Sequence, residues 1–236
     1  MLNITSSKRI CILALISVTL ASPLFFYTSV QVDYAHGNQF FAVSLLLFLT
    51  VFLLVTNARS FSIGFLYGLA TGLVFLVRWQ DLVFGILVVS FARHLSSKSV
   101  QIFLFGIVLG LIIGTVPQFA VWYMIYDSFI VVPQGSGFLS ITHMEPLNFF
   151  FSTWNGVFSW HPIMLIGFLG FGVLSLTTIS VTVQNSLKIF FIASIIIIIT
   201  EIIVSMAVYD WWSGGAFGQR RLVLSSFHIH GSNLFV

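Results

Sequence analysis

Seven apolar runs, each bounded by polar residues, dominate the pattern of hydrophobic positions along the chain. They occupy residues 10–27, 40–56, 61–77, 82–93, 100–123, 162–182 and 187–208. An α-helix needs about 20 apolar residues to cross the hydrocarbon core of a bilayer, and most of the runs approach that length. The pattern predicts an all-α, polytopic transmembrane helical bundle, formed as a single integral membrane domain over residues 1–236, with a long outer loop after the fifth run.

Two of the runs allow more than one interpretation. The first contains a weak processing point at Ala21-Ser22 but stays apolar beyond it, which favours a retained span over a cleaved signal peptide. The run at 82–93 is too short to cross a core of about 30 Å as an upright α-helix. It either begins deeper in the bilayer or belongs to a broken helix that is buried among other helices.

Composition supports a membrane location. Hydrophobic residues make up 58% of the 236 positions and charged residues only 6%, whereas a soluble domain carries about 25% charged residues. The net charge of +3 therefore bears on membrane orientation and not on nucleic acid, which we do not expect as a partner. Cys11 is the single cysteine, so the chain forms no internal disulfide and gives no sign of its redox compartment.

The distribution of basic residues predicts an orientation. If the N-terminus is cytoplasmic and all seven runs cross, the inner segments hold six basic residues, namely Lys8, Arg9, Arg59, Arg93, Lys98 and Lys188. The outer segments hold three, namely Arg78, Arg220 and Arg221, and this asymmetry agrees with the positive-inside rule. All three outer arginines belong to two compact motifs, RWQD and GQRR. That coincidence indicates a function for them, on the condition that the short run at 82–93 crosses.

The stretch DWWSGGAFGQRR, residues 210–221, is the strongest candidate for a binding site. It follows the most apolar run and combines Asp210, Trp211, Trp212, Arg220 and Arg221 with three glycines. Arginine near hydrocarbon is costly and is retained mainly beside an anionic partner, and glycine lets backbone approach a ligand closely. We expect this stretch to hold a phosphate-bearing lipid or sugar at one membrane face. The alternative is an aromatic belt whose arginines snorkel to lipid headgroups.

Asp33 and His36 are the only carboxylate and imidazole spaced to share a helix face at the outer end of the second run. Such a pair binds a metal or transfers protons, and a solvated helix start is the competing interpretation. No Gly-rich phosphate loop, Ser-His-Asp spacing or Cys/His metal cluster occurs in the sequence. His228 and His230, near the C-terminus, indicate a tail and not a metal site.

Two features inside the apolar runs are explained more readily by helix packing than by function. Gly106, Gly110 and Gly114 recur every four residues and form a small-residue stripe suited to close helix contact. Glu201 is the one acid inside a run, with Ser205 one turn further on. An intramembrane acid is by default a functional candidate, and a protonated glutamic acid bonded within the bundle is the alternative.

Several stretches, taken in order, resemble segments of bacterial C-type membrane glycosyltransferases. They are SPLFFYTSVQVDYAHGNQFF, GLATGLVFLVRWQDLVF, VPQFAVWYMIYDS, VPQGSGFL, FSTWNGVFSWHPIMLIGFLGF and DWWSGGAFGQRRLV. The second is similar to a family segment GL-AGLA-LVRPQD-LF, and the last to WWGG-SFGQRRFV. No single motif is diagnostic, but their order and spacing over residues 23–223 are specific together.

The resemblance implies transfer of a sugar from a polyprenyl-phosphate donor at the outer face of a bacterial cytoplasmic membrane. By this resemblance, Arg220 and Arg221 would clamp the phosphate, assisted by Arg78 with Asp81 as its salt-bridge partner. Gly135, Ser136 and Gly137 would shape the sugar pocket, and Asp33 and His36 would remain as candidates for the base or for ligands of a divalent cation. Membrane lipids, the sugar donor and other membrane subunits are the partners implied.

Departures from the family pattern suggest a truncated copy. The family carries earlier spans and an acidic first outer loop, and it continues past GQRRFV into a further span. Trp79 stands at the proline of RPQD, and Trp154 and Asn155 stand at the arginine and histidine of a family segment SSRHG. An inactive membrane subunit that binds lipid phosphate without transfer is therefore the main alternative to an enzyme. A transporter or channel would require ionisable residues in several spans near the membrane midplane, and only Glu201 meets that description.

Overall fold

The computed structural model describes residues 8–91, 97–131, 135, 137–180 and 185–222. Helices are the only repeating secondary structure in this described part of the chain. The α-helices within it are α1 (Lys8–Ala21), α2 (Leu24–Ser29), α3 (His36–Thr56), α4 (Phe61–Val77), α5 (Lys98–Tyr126), α6 (Pro146–Phe151), α7 (Val157–Trp160), α8 (Pro162–Ser180) and α9 (Asn185–Ala207). The 3₁₀ helices within it are Trp79–Ser90, Ile141–His143 and Arg220–Leu222.

Four of the described helices are long and apolar enough to cross a membrane, namely α3, α5, α8 and α9. The all-α fold class predicted from the sequence is therefore confirmed, and these helices indicate a membrane protein. The count of seven spanning segments is not confirmed, because the other three apolar runs form shorter helices.

The first apolar run is not one helix. α1 ends at Ala21 and α2 begins at Leu24, so the span predicted over residues 10–27 is divided. Proline carries no N–H and disfavours a helical conformation in the residue before it, which explains a break at Ser22-Pro23. Ser22 Oγ then accepts a hydrogen bond from Leu24 N–H at 3.3 Å, at the start of α2.

The chain divides into two compact units. The first unit comprises Met1–Phe40, Ser136–Val183 and Ser194–Val236, and the second comprises Phe41–Gly135 and Gln184–Ala193. In the first unit, the chain after α9 pairs with residues 138–140: Ser140 N–H donates to Ala207 O at 2.7 Å, and Tyr209 N–H donates to Phe138 O at 3.0 Å. The same unit contains a buried hydrophobic core of Phe149, Val157, Met164, Met206, Trp211 and Leu222.

Within the second unit, α4 and α5 pack closely through glycines. A Cβ at Gly72 would lie 2.7 Å from Gly114 Cα, and a Cβ at Gly110 would lie 2.9 Å from Leu69 N. Real Cβ atoms do not approach backbone so closely, so glycine is required at these positions. The prediction that the stripe at Gly106, Gly110 and Gly114 serves helix contact is confirmed, and its partner is a matching stripe at Gly64, Gly68 and Gly72.

The register of these contacts makes α4 and α5 parallel, because Gly64 faces Phe103, Gly68 faces Ile107 and Gly72 faces Gly114. The chain between them must therefore return along the length of α4. The 12-residue 3₁₀ helix Trp79–Ser90 makes most of that return, and at about 2.0 Å per residue it covers about 24 Å. The 17 residues of α4 cover about 25 Å. The 3₁₀ geometry thus supplies the length that an α-helix of the same residues lacks.

Candidate functional site

The stretch 210–221, here called the 210–221 loop, is closed by an ion pair between its two ends. Arg221 Nη2 lies 2.6 Å from Asp210 Oδ1. Arg221 Nη1 donates to Asp210 O at 2.7 Å and lies 3.3 Å from Ser213 Oγ. The Arg221 side chain is buried, whereas that of Asp210 is one-third exposed. Arg221 therefore holds the loop in shape, which separates its role from that of the neighbouring arginine.

Asn155 anchors the middle of the loop from the segment between α6 and α7. Its side-chain Nδ2 lies 2.8 Å from Trp212 O, 3.2 Å from Ala216 O and 3.5 Å from Gly214 O. Asn155 is buried and has a φ of 59°, in the left-handed region that asparagine adopts more readily than most residues. One amide thus satisfies carbonyl groups that a glycine-rich loop leaves without partners.

The side chain of Gln219 forms hydrogen bonds with two other residues of the loop. Its Nε2 donates to Trp211 O at 2.7 Å, and its Oε1 accepts from Ser213 Oγ at 3.2 Å. Both Gln219 and Ser213 are buried. Because these bonds lie away from water, the conformation of the loop does not depend on a ligand to supply its hydrogen bonds.

Tyr27 of α2 ties the loop to the N-terminal segment. Its hydroxyl accepts a hydrogen bond from Phe217 N–H at 3.0 Å and donates to Phe217 O at 3.3 Å. Phe26 stacks on the Phe217 ring with centroids 4.7 Å apart. Burial raises the pKa of the Tyr27 hydroxyl, so the group stays neutral and keeps both bonding roles.

Arg220 has a different environment from Arg221. Its guanidinium carbon lies 5.0 Å from the centroid of the Tyr34 ring, within the range of a cation–π contact. The residue is only partly buried. Within the described residues no carboxylate pairs with it. Its N–H donors are therefore available to an anion, while the aromatic face fixes its position.

Gly218 allows the loop to pack on His161, which precedes α8. A Cβ at Gly218 would meet His161 Nε2, and the φ of Gly218 is +61°. His161 is buried, and burial lowers its pKa to about 4, against a hydrogen bond to the Ala21 backbone that raises it. The imidazole beneath the loop is therefore neutral at neutral pH.

The prediction that Asp33 and His36 share a helix face is wrong. α3 begins at His36, and Asp33 lies in the turn before it. The Asp33 side chain is exposed, whereas the His36 ring is buried, with Nδ1 3.1 Å from Gln39 Oε1 and its centroid 4.9 Å from that of Tyr27. Because Asp33 precedes the first helical residue, the three-residue spacing does not bring its side chain onto the helix face of His36.

The remaining predicted site residues are distributed over both units. Arg78 and Asp81 belong to the second unit, where Asp81 N–H donates to Arg78 O at 3.0 Å; the ion pair between their side chains stays a prediction. Gly135 and Gly137 are exposed, with nothing within 4 Å of an added Cβ, and Ser136 lies outside the described residues. Arg93, His228 and His230 also lie outside them. Glu201 and Ser205 are both buried on α9.

An open pocket of about 410 Å³ adjoins the loop in the first unit. Its lining residues are Asn148, Ser152, Trp154, Trp211 and Trp212. The sequence had indicated the last two of these, but not the three contributed by α6 and the segment that follows it. Among the described residues, no group of three or more His, Cys, Asp or Glu side chains is placed to hold a metal ion.

No protein-family model, curated protein or solved structure matches this chain. The glycosyltransferase resemblance therefore rests on the quoted sequence segments alone.

Proposed function

We propose that this chain is a membrane glycosyltransferase that binds the phosphate of a polyprenyl-phosphate sugar donor through Arg220. The observation that carries the proposal is the contrast between the adjacent arginines. Arg221 is buried and paired with Asp210 at 2.6 Å, whereas Arg220 is partly exposed above Tyr34. The Arg221 guanidinium is thus bonded within the loop, whereas the Arg220 guanidinium is partly exposed on its surface.

Phosphate is the anion that suits this arrangement. A guanidinium donates two parallel N–H bonds to phosphate oxygens, and it remains charged near a low-dielectric region where a lysine would lose its proton more readily. The location after α9, a helix long and apolar enough to cross a membrane, favours a phosphate carried by a lipid. We place the loop at the outer face, in agreement with the distribution of basic residues.

Transfer would require one further group, a base for the acceptor hydroxyl. The hydroxyl oxygen would attack the sugar carbon that bears the phosphate, the bond from that carbon to the phosphate oxygen would break, and polyprenyl phosphate would leave. The exposed Asp33 carboxylate is the group we assign to take the hydroxyl proton. His36, whose ring is buried against Gln39 and Tyr27, is assigned to position this segment and not to exchange protons.

A second candidate function is binding of a lipid phosphate without transfer, as a membrane subunit. The separation of Asp33 from the buried His36 favours it, because the two do not form the acid–base pair that the sequence suggested. Both candidates share the Arg220 contact, so only a measurement of turnover separates them.

The test uses the purified chain in vesicles with a panel of polyprenyl-phosphate sugars. Arg220→Gln should weaken binding of polyprenyl phosphate about tenfold, since a charge-assisted hydrogen bond contributes about 1.5–3 kcal/mol. Lys98→Gln is the control, because it removes the same charge from an exposed residue at the start of α5. Equal affinities of the Arg220 and Lys98 variants would reject the phosphate site.

Turnover is measured in the same vesicles as release of free polyprenyl phosphate. Release that is lost in Asp33→Asn, with donor binding retained, would support transfer with Asp33 as the base. Donor binding that needs Arg220, without any release, would support the lipid-binding subunit.

A further inference from the structure

The tryptophan-lined pocket beside the 210–221 loop has a composition that phosphate binding does not explain. Three of its five lining residues are Trp154, Trp211 and Trp212, and the other two are the neutral Asn148 and Ser152. No lysine, arginine or histidine is among the described residues that line it. Aromatic walls present negative ring faces, so such a pocket is poorly suited to an anion.

Its aromatic walls meet at a right angle. The rings of Trp211 and Trp212 form a T, with centroids 5.8 Å apart and planes at 89°. In a T, the faces of both rings bound the same corner. The face of an indole carries the negative part of the ring quadrupole and attracts cations more strongly than other aromatic side chains do. Trp154, which is 65% exposed, adds a third aromatic group at the mouth.

A carboxylate reinforces the same preference. Glu145 Oε2 accepts a hydrogen bond from the Nδ2 of the lining residue Asn148 at 2.7 Å. That bond uses one N–H of the amide and leaves its carbonyl oxygen as an acceptor. Glu145 thus adds negative charge beside the pocket without lining it.

We propose that this pocket binds an alkylammonium group. The lining residues supply indole rings, which attract cations, and their remaining side chains, Asn148 and Ser152, are neutral, so a compact cation suits the pocket. The proposal stands apart from the glycosyltransferase assignment, because it does not require Arg220 or transfer. A lipid headgroup and a free amine share this chemistry.

Choline is the probe, titrated by calorimetry into the purified full chain in maltoside micelles. Its neutral isostere, in which a quaternary carbon replaces the nitrogen, is titrated beside it, together with glucose. Choline should bind at least about tenfold more tightly than the isostere, as expected for a partly desolvated cation–π site. Equal binding of choline and the isostere, or tighter binding of glucose, would overturn the proposal.

Two matched pairs of variants locate the site. Trp154→Phe should retain choline binding and Trp154→Leu should lose most of it, because both keep apolar bulk but only phenylalanine keeps a π face. Glu145→Gln should weaken choline about threefold through loss of charge, since glutamine retains an acceptor for Asn148. Leu147→Ala, at an exposed residue outside the pocket, should change nothing. Unchanged affinity in Trp154→Leu would place the binding elsewhere and refute the pocket.

The source of the ammonium is distinguished in lipid nanodiscs. If phosphatidylcholine headgroups occupy the pocket, choline should titrate more weakly in phosphatidylcholine discs than in phosphatidylglycerol discs. Equal titration in both would identify a soluble amine as the ligand. Absence of choline binding in phosphatidylglycerol discs, where no headgroup competes, would contradict the proposal.

Discussion

Gly218 is the residue whose replacement should disturb the site most locally. Its φ of +61° and the contact of an added Cβ with the His161 ring both require glycine. Gly218→Ala should destabilise the fold by about 2–3 kcal/mol, from left-handed strain and overpacking together. It should also weaken binding of polyprenyl phosphate, because Arg220 is fixed two residues further on. Thermal unfolding in micelles, followed by near-ultraviolet circular dichroism of the tryptophans, measures the first effect.

Gly215→Ala is the matched control in the same loop. The φ of Gly215 lies outside the left-handed region, and an added Cβ meets nothing within 4 Å. We expect a change below about 0.5 kcal/mol, as for an ordinary surface substitution. Similar losses in both variants would show that any substitution in the loop is harmful and that the His161 contact has no special role.

At the scale of residues, the site residues could be predicted from the sequence, but the different roles of the two arginines could not. Asp210, Trp211, Trp212, Arg220 and Arg221 were all indicated as site residues, because charge and aromatic residues after an apolar run are unusual. Adjacent arginines look alike in a sequence, and only packing shows that one side chain is turned inward and the other outward. The predicted clamp of two equivalent arginines therefore becomes one positioning residue and one candidate phosphate ligand.

The site residues that could not be predicted from the sequence contact partners that are far away along the chain. Asn155 bonds carbonyls up to 61 positions away, and Tyr27 bonds Phe217 at a separation of 190. Single neutral polar residues carry no pattern that reveals such partners. Asn155-Gly156 was the one usable signal, since asparagine before glycine is typical of a turn with positive φ.

At the scale of elements, the parallel packing of α4 on α5 depends on Gly68. An added Cβ there would meet the backbone of Ile107 and lie 2.8 Å from Leu111 N. Backbone cannot yield as a flexible side chain does, so Gly68→Ala should separate the helices and destabilise the protein by about 1–3 kcal/mol. Thermal unfolding in micelles is the measurement.

The comparison is Gly172→Ala on α8, where an added Cβ meets nothing within 4 Å. Alanine has the higher helix propensity, so this variant should be neutral or more stable by up to about 1 kcal/mol. Destabilisation of equal size in both variants would contradict the assigned role of the glycine stripe.

Element boundaries were predictable where a run has clear polar limits. α4 occupies Phe61–Val77, the bounds that the pattern predicted. The first run was predicted as one span from its hydropathy, and the break at Pro23 was missed. Proline disfavours a helix interior but does not always end a helix, since α5 contains Pro117. The run at 82–93 was predicted to be too short for an upright crossing, and it belongs to a 12-residue helix that is shorter than the candidate spans. Its 3₁₀ geometry was not predicted, because apolar periodicity alone does not distinguish an α-helix from a 3₁₀ helix.

At the scale of the whole molecule, the order of the candidate spans predicts opposite sides for two residues. α5, α8 and α9 lie between Lys98 and Gly215, and three crossings reverse the side of the chain. By the positive-inside rule, we predict that the side that holds Arg59, Lys98 and Lys188 is the cytoplasmic one. In a Cys11→Ser background, Gly215→Cys should therefore react with an impermeant maleimide on intact cells. Lys98→Cys should react only after permeabilisation.

Labelling of both positions without permeabilisation would mean that one of the three helices does not cross. Labelling of Lys98→Cys alone would mean that the orientation is inverted, and the proposed phosphate site would then face the cytoplasm.

The hydrogen bonds between Tyr27 and Phe217 also have a consequence for biosynthesis. The two residues are 190 positions apart, so at about 5–20 residues per second the N-terminal segment waits on the order of 10–40 s for its partner to be synthesised. During that interval the aromatic side chains of α2 have no loop to pack against. Membrane proteases would therefore encounter an N-terminal segment that is not yet packed. A ribosome-stalled chain that ends before Phe217 should be degraded faster than the full chain.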